Sequence, residues 1–452
     1  MTSLVRTEWW QPAPTVGVAP HFSSVTDAGV ASGGALAFRA LMVFTSILLL
    51  APQAHFPALR PFRIALLAAV VAITARIVDC LVRGLPLTVR RREMALTAGL
   101  VAWAVVTLPL SSWPGGSVSF LLNGYFKTVA IFWLLANAVD TLPRLAQVAW
   151  GLTWLSVPLA LTGIKNFVSG VFLQAGHSVK RIEGYDAGLT ANPNDLALML
   201  NLILPMSLAL LVATRKASAR ALLLAVVALQ ACCVVVTFSR AGFLALGVVF
   251  TLYLWRLIRR GRTGWAVAML AVAFVGLVAL PSGYVTRLAT ITDMSSDVTG
   301  SAQSRWSDMV TALHYLLEHP VVGAGIGMNT LALNELRGAA WKEVHNVYLE
   351  YGVELGLPGL LLFLLLVAAC LRTVRRVRGR TQGVPSLTEL SWLAEGLQVG
   401  ILAFVVAAFF YPVAYHFYFY YLAGLAVAAG VLCDKAMART TEGPRPATTE
   451  AT

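Results

Sequence analysis

SAQSRWSDMVTALHYLLEHPVVGAGIGMNTLALNELRGAAWKEVHNVYLEYGVELGLPGL, residues Ser301–Leu360, is a long polar insertion in a chain that is otherwise lipid-phase sequence. It gathers Arg305, Asp308, His314, Glu318, His319, Arg337, Lys342, Glu343, His345, Glu350 and Glu354, with glycines at alternate positions 323, 325 and 327. Ionisable groups are costly in hydrocarbon and need water or a protein-lined cavity, so chemistry is sought in this stretch. Its apolar residues recur with helical period from Trp306 through Met309/Val310 and Leu313 to Leu316/Leu317, which predicts a helix that ends at His319, before Pro320. The glycine run lacks the preceding strand of a nucleotide fold and reads as a tight backbone turn.

Outward from this stretch the composition sets the class. Of 452 residues, 58% are hydrophobic and 12% charged, against about 25% charged in a soluble domain. Apolar runs long enough to cross a bilayer recur along the chain. The fold class is therefore all-α: a polytopic membrane protein of about twelve spans, with a large helical loop between spans nine and ten. A formal charge of +13 does not imply nucleic acid, because the basic residues sit in short loops between apolar runs, where membrane orientation explains them. Cys80, Cys232, Cys233, Cys370 and Cys433 lie in or beside apolar runs without metal or disulfide spacing, and read as packing residues. No cleavable signal is evident ahead of the first apolar run.

The divisions expected are a cytoplasmic tail at 1–34, spans one to nine at 35–281, a periplasmic catalytic loop at 282–352, spans ten to twelve at 353–433, and a cytoplasmic tail at 434–452. Dense Lys/Arg clusters follow the even spans: Arg83 with Arg90–Arg92, Arg144, Arg215 with Lys216 and Arg220, Arg256 to Arg262, and Arg372 to Arg380. By the positive-inside rule both termini are cytoplasmic, and the long loop, the segment 165–191 and the tip at Arg240 face the other side.

Three outward elements carry the candidate chemistry. Asn192-Pro193-Asn194-Asp195 opens span six, with proline at the first helical position, so N–H groups and a positive dipole end point outward and favour anions or serve as a plain cap. Thr237-Phe238-Ser239-Arg240-Ala241-Gly242 is too tight a connection for idle charge, although an arginine there can also snorkel or cap span seven. Arg305 opens the loop helix, where a cation opposes the dipole and needs a compensating anion. His345 precedes the next apolar run by about 12 residues, or ~18 Å along a helix, less if that segment lies along the interface. Outward guanidiniums suit a lipid-linked diphosphate, whose oxygens match their planar fork. A histidine beside them suits removal of a sugar hydroxyl proton. Nothing here requires a metal or another cofactor. Lys127, halfway through span four, is a weaker candidate, and Arg76 with Asp79 reads as a structural pair.

At Asn192–Ala197, Ser239–Gly242, Arg305-Trp306, His319–Gly327, His345–Glu350 and Gly356–Leu360 the chain resembles the O-antigen ligase/polymerase superfamily of bacterial envelope enzymes. The resemblance implies a glycosyltransferase-C-like helical fold in the inner membrane and metal-independent, inverting glycosyl transfer on the periplasmic face. It implies a glycan on undecaprenyl diphosphate as donor and, for the ligases, the lipid A core as acceptor, among membrane lipids and without nucleic acid. By position, Arg240 and Arg305 would hold the diphosphate with Arg181 as a third, and His345 would be the base or orient the acceptor hydroxyl. Asn346, Asn194 and Lys127 would support them. The reading favoured is an O-antigen ligase in lipopolysaccharide biosynthesis. The alternatives are a polymerase of O-antigen or exopolysaccharide, and a bicarbonate-like solute transporter, which should carry its ionisable groups at the midplane rather than on one face.

Overall fold

The computed structural model describes residues 34–173, 181–185, 189–278, 280, 284 and 300–441. The N-terminal tail, the first part of the long loop and most of the C-terminal tail lie outside the described residues. Among the described residues, ten helical segments are long and apolar enough to cross a membrane, by length and composition. Two shorter apolar helices, α1 (Ala35–Leu50) and α10 (Thr263–Val278), accompany them. The others in order are α2 (Ile64–Val82), α3 (Arg92–Thr107), α4 (Pro114–Phe120), α5 (Phe126–Ala138), α6 (Leu142–Val168), α7 (Pro193–Ala213), α8 (Ala217–Val236) and α9 (Arg240–Arg259). Then follow α11 (Ser301–Glu318), α12 (Asn329–Arg337), α13 (Val347–Thr381), α14 (Thr388–Ala407) and α15 (Phe417–Thr441). A π-helical turn at Leu121–Tyr125 joins α4 to α5 within one span. The chain is an all-helical polytopic membrane protein, and the described residues hold only one isolated β-bridge, Phe172 to Ile182.

The bundle is centred on α7, α14 and α15, the most buried of the long helices. Lipid tails are as apolar as leucine, so burial alone does not drive helices together in a membrane; close backbone approach and buried hydrogen bonds do. Both are present. Gly396 of α14 lies so close to α7 that a Cβ would stand 2.7 Å from the Pro205 carbonyl oxygen. Between α6, α7 and α8, the Gln230 amide donates to Ser156 Oγ at 2.6 Å and Ser207 Oγ at 3.0 Å, and Thr153 meets Ser207 at 3.0 Å. A tyrosine layer crosses the core, with Tyr420 hydroxyl 2.7 Å from Tyr125 and 2.9 Å from Tyr351.

The polar stretch folds as a clasp around a break in α13. Gly356 has φ 65° and ψ −171°, a conformation open essentially to glycine alone. The broken turn leaves carbonyls without helical donors, and each finds one elsewhere. Ala324 N–H donates to Val353 O at 2.7 Å, Gly325 N–H to Glu354 O at 2.9 Å, and Trp103 Nε1–H to Leu355 O at 2.8 Å. Leu357 N–H in turn donates to Pro320 O at 2.7 Å. The glycine run is thus the tight turn its sequence implies, with positive φ at Gly323, Gly325 and Gly327. A Cβ on Gly325 would lie 2.2 Å from Ser111 Oγ.

The span-ten helix begins at Val347, several residues before the apolar run that the sequence marks. It bends at Gly356, so the apolar run is only its straight distal part. Gly356→Ala is expected to cost about 3 kcal/mol, because its Cβ would also sit 2.3 Å from the Val321 carbonyl oxygen. Thermal melting of the detergent-solubilised protein checks this, and an unchanged midpoint would contradict it.

Candidate functional site

The site is built at the end of the bundle where α7 and α9 begin. Asn192 caps α7, its Oδ1 accepting from Asn194 N–H at 2.9 Å, with Pro193 at the first helical position. Asn194 then turns its own side chain to Arg181, whose Nη2 donates to Asn194 Oδ1 at 2.8 Å. Ser239 caps α9 by accepting from Gly242 N–H at 3.1 Å. The buried Asn201 amide ties the two starts together, donating to Ala197 O at 2.8 Å and Gly242 O at 2.9 Å. A Cβ on Gly242 would stand 2.6 Å from Ala197 Cβ, so this junction needs a glycine. Arg240 is therefore fixed as the first residue of α9, and its Nη2 donates to Ser301 Oγ at 3.0 Å, the opening of α11. Arg305 follows one turn along α11.

Tyr411 joins these elements. The sequence marks Tyr411-Pro412 only as the gap between the last two spans. In the structure its buried hydroxyl donates to Asn194 O at 2.9 Å and lies 3.3 Å from Ser239 Oγ. Burial pushes that hydroxyl above its usual pKa, and Asp195, Arg305 and Arg181 all act on it. Tyr411 is thus the point at which the α7 start and the α9 start meet, within the field of Arg305 on α11. An isolated tyrosine before a proline carries no signal of that role, and only the three-dimensional convergence reveals it.

His345 stands on the segment between α12 and α13, half-buried, with Nδ1 3.1 Å from the Glu343 carbonyl oxygen. It is not carried outward on a helix. Asn346 is the α13 N-cap, its Oδ1 accepting from Tyr348 N–H at 3.0 Å and Leu349 N–H at 3.1 Å. Val347 N–H donates to Ala408 O at the end of α14, at 2.8 Å. The imidazole is therefore held against the bundle end. Burial first, then the Arg305 charge, lower its pKa to about 4, partly offset by the Glu343 carbonyl. Glu343 moves the opposite way, its carboxyl raised by burial. The segment is braced by Asn329, whose Oδ1 accepts from Val344 N–H at 3.2 Å. Asn329 in turn sits on Glu354, which takes the Asn329 amide at 2.6 Å, Asn329 N–H at 3.0 Å and Gly327 N–H at 2.7 Å.

Of the residues expected from sequence, Arg181 and Asn194 are bonded to each other, Arg305 acts on His345 and Tyr411, and Arg181 also acts on Tyr411. Arg240 reaches α11 through Ser301, and Asn346 adjoins His345 as a cap. Lys127 is not brought to them: it is exposed on α5 and makes no hydrogen bond or ion pair among the described residues. Its place beyond the π-turn gives it an outer face of the span. Arg76 and Asp79 pair at 3.7 Å, as their spacing implies. Sequence reasoning passed over Tyr411, Asn329 and the bracing role of Glu354. Their contacts join positions far apart in the chain, which no local pattern encodes.

The chain is therefore a polytopic helical membrane protein that assembles a cationic, histidine-bearing site at one end of its bundle. Residues 199–364 match the Wzy_C family, described as O-antigen ligase, and this match supports the O-antigen ligase superfamily. The matched region holds Arg240, Arg305, His345, Asn346, Asn329 and Glu354, and ends just past the Gly356 break; Arg181, Asn194 and Tyr411 complete the site from outside it. The family implies an enzyme of glycosyltransferase type acting in lipopolysaccharide biosynthesis. No curated protein matches the chain.

Proposed function

We propose that the chain is an O-antigen ligase that transfers a glycan from undecaprenyl diphosphate to the lipid A core on the periplasmic face of the inner membrane. The observation that carries this reading is the gathering of three arginines from separate elements at one bundle end: Arg181 on Asn194, Arg240 on Ser301, and Arg305 with its charge acting on both Tyr411 and His345. Guanidiniums keep their charge and grip phosphate oxygens bidentately, so they favour the diphosphate as it leaves. The bond broken is between the donor sugar's anomeric carbon and the diphosphate oxygen. The bond formed joins that carbon to an acceptor hydroxyl from the opposite face, with inversion.

His345 takes the hydroxyl proton. Its pKa near 4 keeps the imidazole neutral, with a lone pair free, at neutral pH. A diphosphate bound beside Arg305 offsets the charge that depresses the imidazole, so donor binding raises the basicity of His345 where the proton must move. The long loop, 282–352, is the catalytic region in this reading. Spans one to nine (35–281) and ten to twelve (353–433) form the membrane body, and the tails 1–34 and 434–452 are cytoplasmic. The basic clusters at the opposite end of the helices support that orientation.

A polymerase would run the same chemistry with a growing chain as acceptor. Deleting the gene and separating lipopolysaccharide on a gel decides between them. A ligase loss leaves core-lipid A with no repeats, which is the expected result. Core bearing a single repeat would assign the polymerase instead, and an unchanged ladder would overturn both.

A further inference from the structure

The opposite end of the bundle carries a second cationic cluster, remote from Arg240 and His345 and independent of the proposed transfer. The last turn of α9 supplies Arg256, with Arg260 just beyond it; α13 supplies Arg378; α14 supplies Trp392, Glu395 and Gln398. Arg256 Nη1 lies 3.4 Å from Glu395 Oε1, and Arg260 pairs with the other oxygen of the same carboxylate. Gln398 Oε1 accepts from Arg256 Nη2 at 2.9 Å and from Arg378 Nη1 at 2.7 Å. Arg256 is only 5% exposed, and its Nε and Nη1 have no hydrogen-bond partner among the described residues. Two guanidiniums thus share one carboxylate and a third is joined to them through Gln398, so three positive charges gather around one negative.

Several other arginines at this end sit directly on a carboxylate. Arg91 and Arg380 share Asp434, Arg76 and Arg83 share Asp79, and Arg144 has Asp140. In the three-arginine cluster, Arg260 and Arg378 each make one hydrogen bond within the described residues and keep the remaining donors of their forks. The cluster also lies at the arginine-rich end of α9, where its apolar run stops. Arg260 stacks 4.7 Å over Trp392, Arg259 5.0 Å over Trp255, and Trp255 and Ile258 present exposed apolar surface beside them. Tryptophan is the residue that favours that boundary.

We propose that the junction of α9, α13 and α14 binds the phosphodiester headgroup of an anionic phospholipid. The Arg260 and Arg378 forks hold the phosphate oxygens, and the buried Arg256 supplies field from behind. The acyl chains lie along the exposed Trp255–Ile258 side of α9. A phosphodiester supplies the missing anion, and basic pockets between membrane helices are suited to such headgroups.

The test titrates the purified full-length protein in mixed micelles with phosphatidylglycerol or phosphatidylcholine and counts bound lipid by native mass spectrometry. The parent should retain phosphatidylglycerol in preference to phosphatidylcholine. The double variant R260Q/R378Q should bind it about a hundredfold more weakly or worse, as expected for losing two charge-assisted bonds. A control, R375Q/R376Q, removes the same charge from exposed positions on α13 and should bind as the parent does. Equal weakening in both variants would reduce the effect to general attraction by a basic surface and overturn the site. Competition by inorganic phosphate at the same concentration as the lipid would overturn the lipid assignment. Should R260Q/R378Q fail to purify, the parent's melting temperature decides: a rise with phosphatidylglycerol but not phosphatidylcholine or phosphate is expected, and no difference refutes the proposal.

Discussion

His345→Ala is expected to slow glycan transfer by about 10²- to 10⁴-fold, the range for losing a positioned general base, while the protein folds and accumulates as before. The fold is spared because the imidazole is half-buried and its side-chain bond is to the Glu343 carbonyl at 3.1 Å. The lipid-linked donor should build up in cells carrying this variant, and equal activity at equal expression would remove His345 from the mechanism. The pH profile gives a second readout. A free imidazole loses its lone pair below about 6.5, but here burial and Arg305 lower that point to about 4. Activity measured as kcat/KM should therefore persist on the acid side to well below pH 6. Arg305→Gln removes a charge that disfavours protonation, so the acid limb of its residual activity should move upward, towards the ordinary value. Arg305→Lys keeps the charge and should leave the limb in place. A limb near 6.5 in the parent, or one unmoved by Arg305→Gln, would sever the coupling between the two residues.

Much of this architecture can be read from the sequence because membrane insertion writes it in apolar length and in loop charge. The start of α7 at Pro193, its Asn192 cap, the end of α11 before Pro320 and the turn at the three glycines follow from local rules of proline, glycine and capping. Such rules act within a few residues, and they hold here. They could not find the α12 helix, whose Asn329–Arg337 stretch is too short and too mixed to announce itself. Nor could they place Tyr411, because its partners Asn194 and Ser239 lie far away in sequence. The case of Lys127 runs the other way. A charge inside an apolar run suggests an inward role, yet Lys127, just past the π-turn, is exposed. The arginines were visible as charges, whereas their convergence depends on the clasp around Gly356 that brings α11 and the His345 segment against the bundle.

That clasp carries the other large effect, expected at Asn329 and Glu354. Glu354 receives N–H groups on both oxygens, Gly327 on one and Asn329 twice on the other. Glu354→Gln replaces one accepting oxygen by an NH₂ group, so a donor must face a donor whichever way the amide turns. A buried N–H without a partner costs about 1–3 kcal/mol, and the melting temperature should fall accordingly. Asn329→Ala removes the step between this anchor and the site, since Asn329 Oδ1 holds Val344 N–H next to His345. Displacing a catalytic group by about 1 Å can cost about 10²-fold in rate, so Asn329→Ala should depress kcat by about that factor and change KM far less, because the arginines that meet the donor are untouched. The two substitutions share one network, and their combined effect on kcat should be smaller than the product of the separate effects. Independent, multiplying losses in the double variant would show that Glu354 does not act on His345 through Asn329.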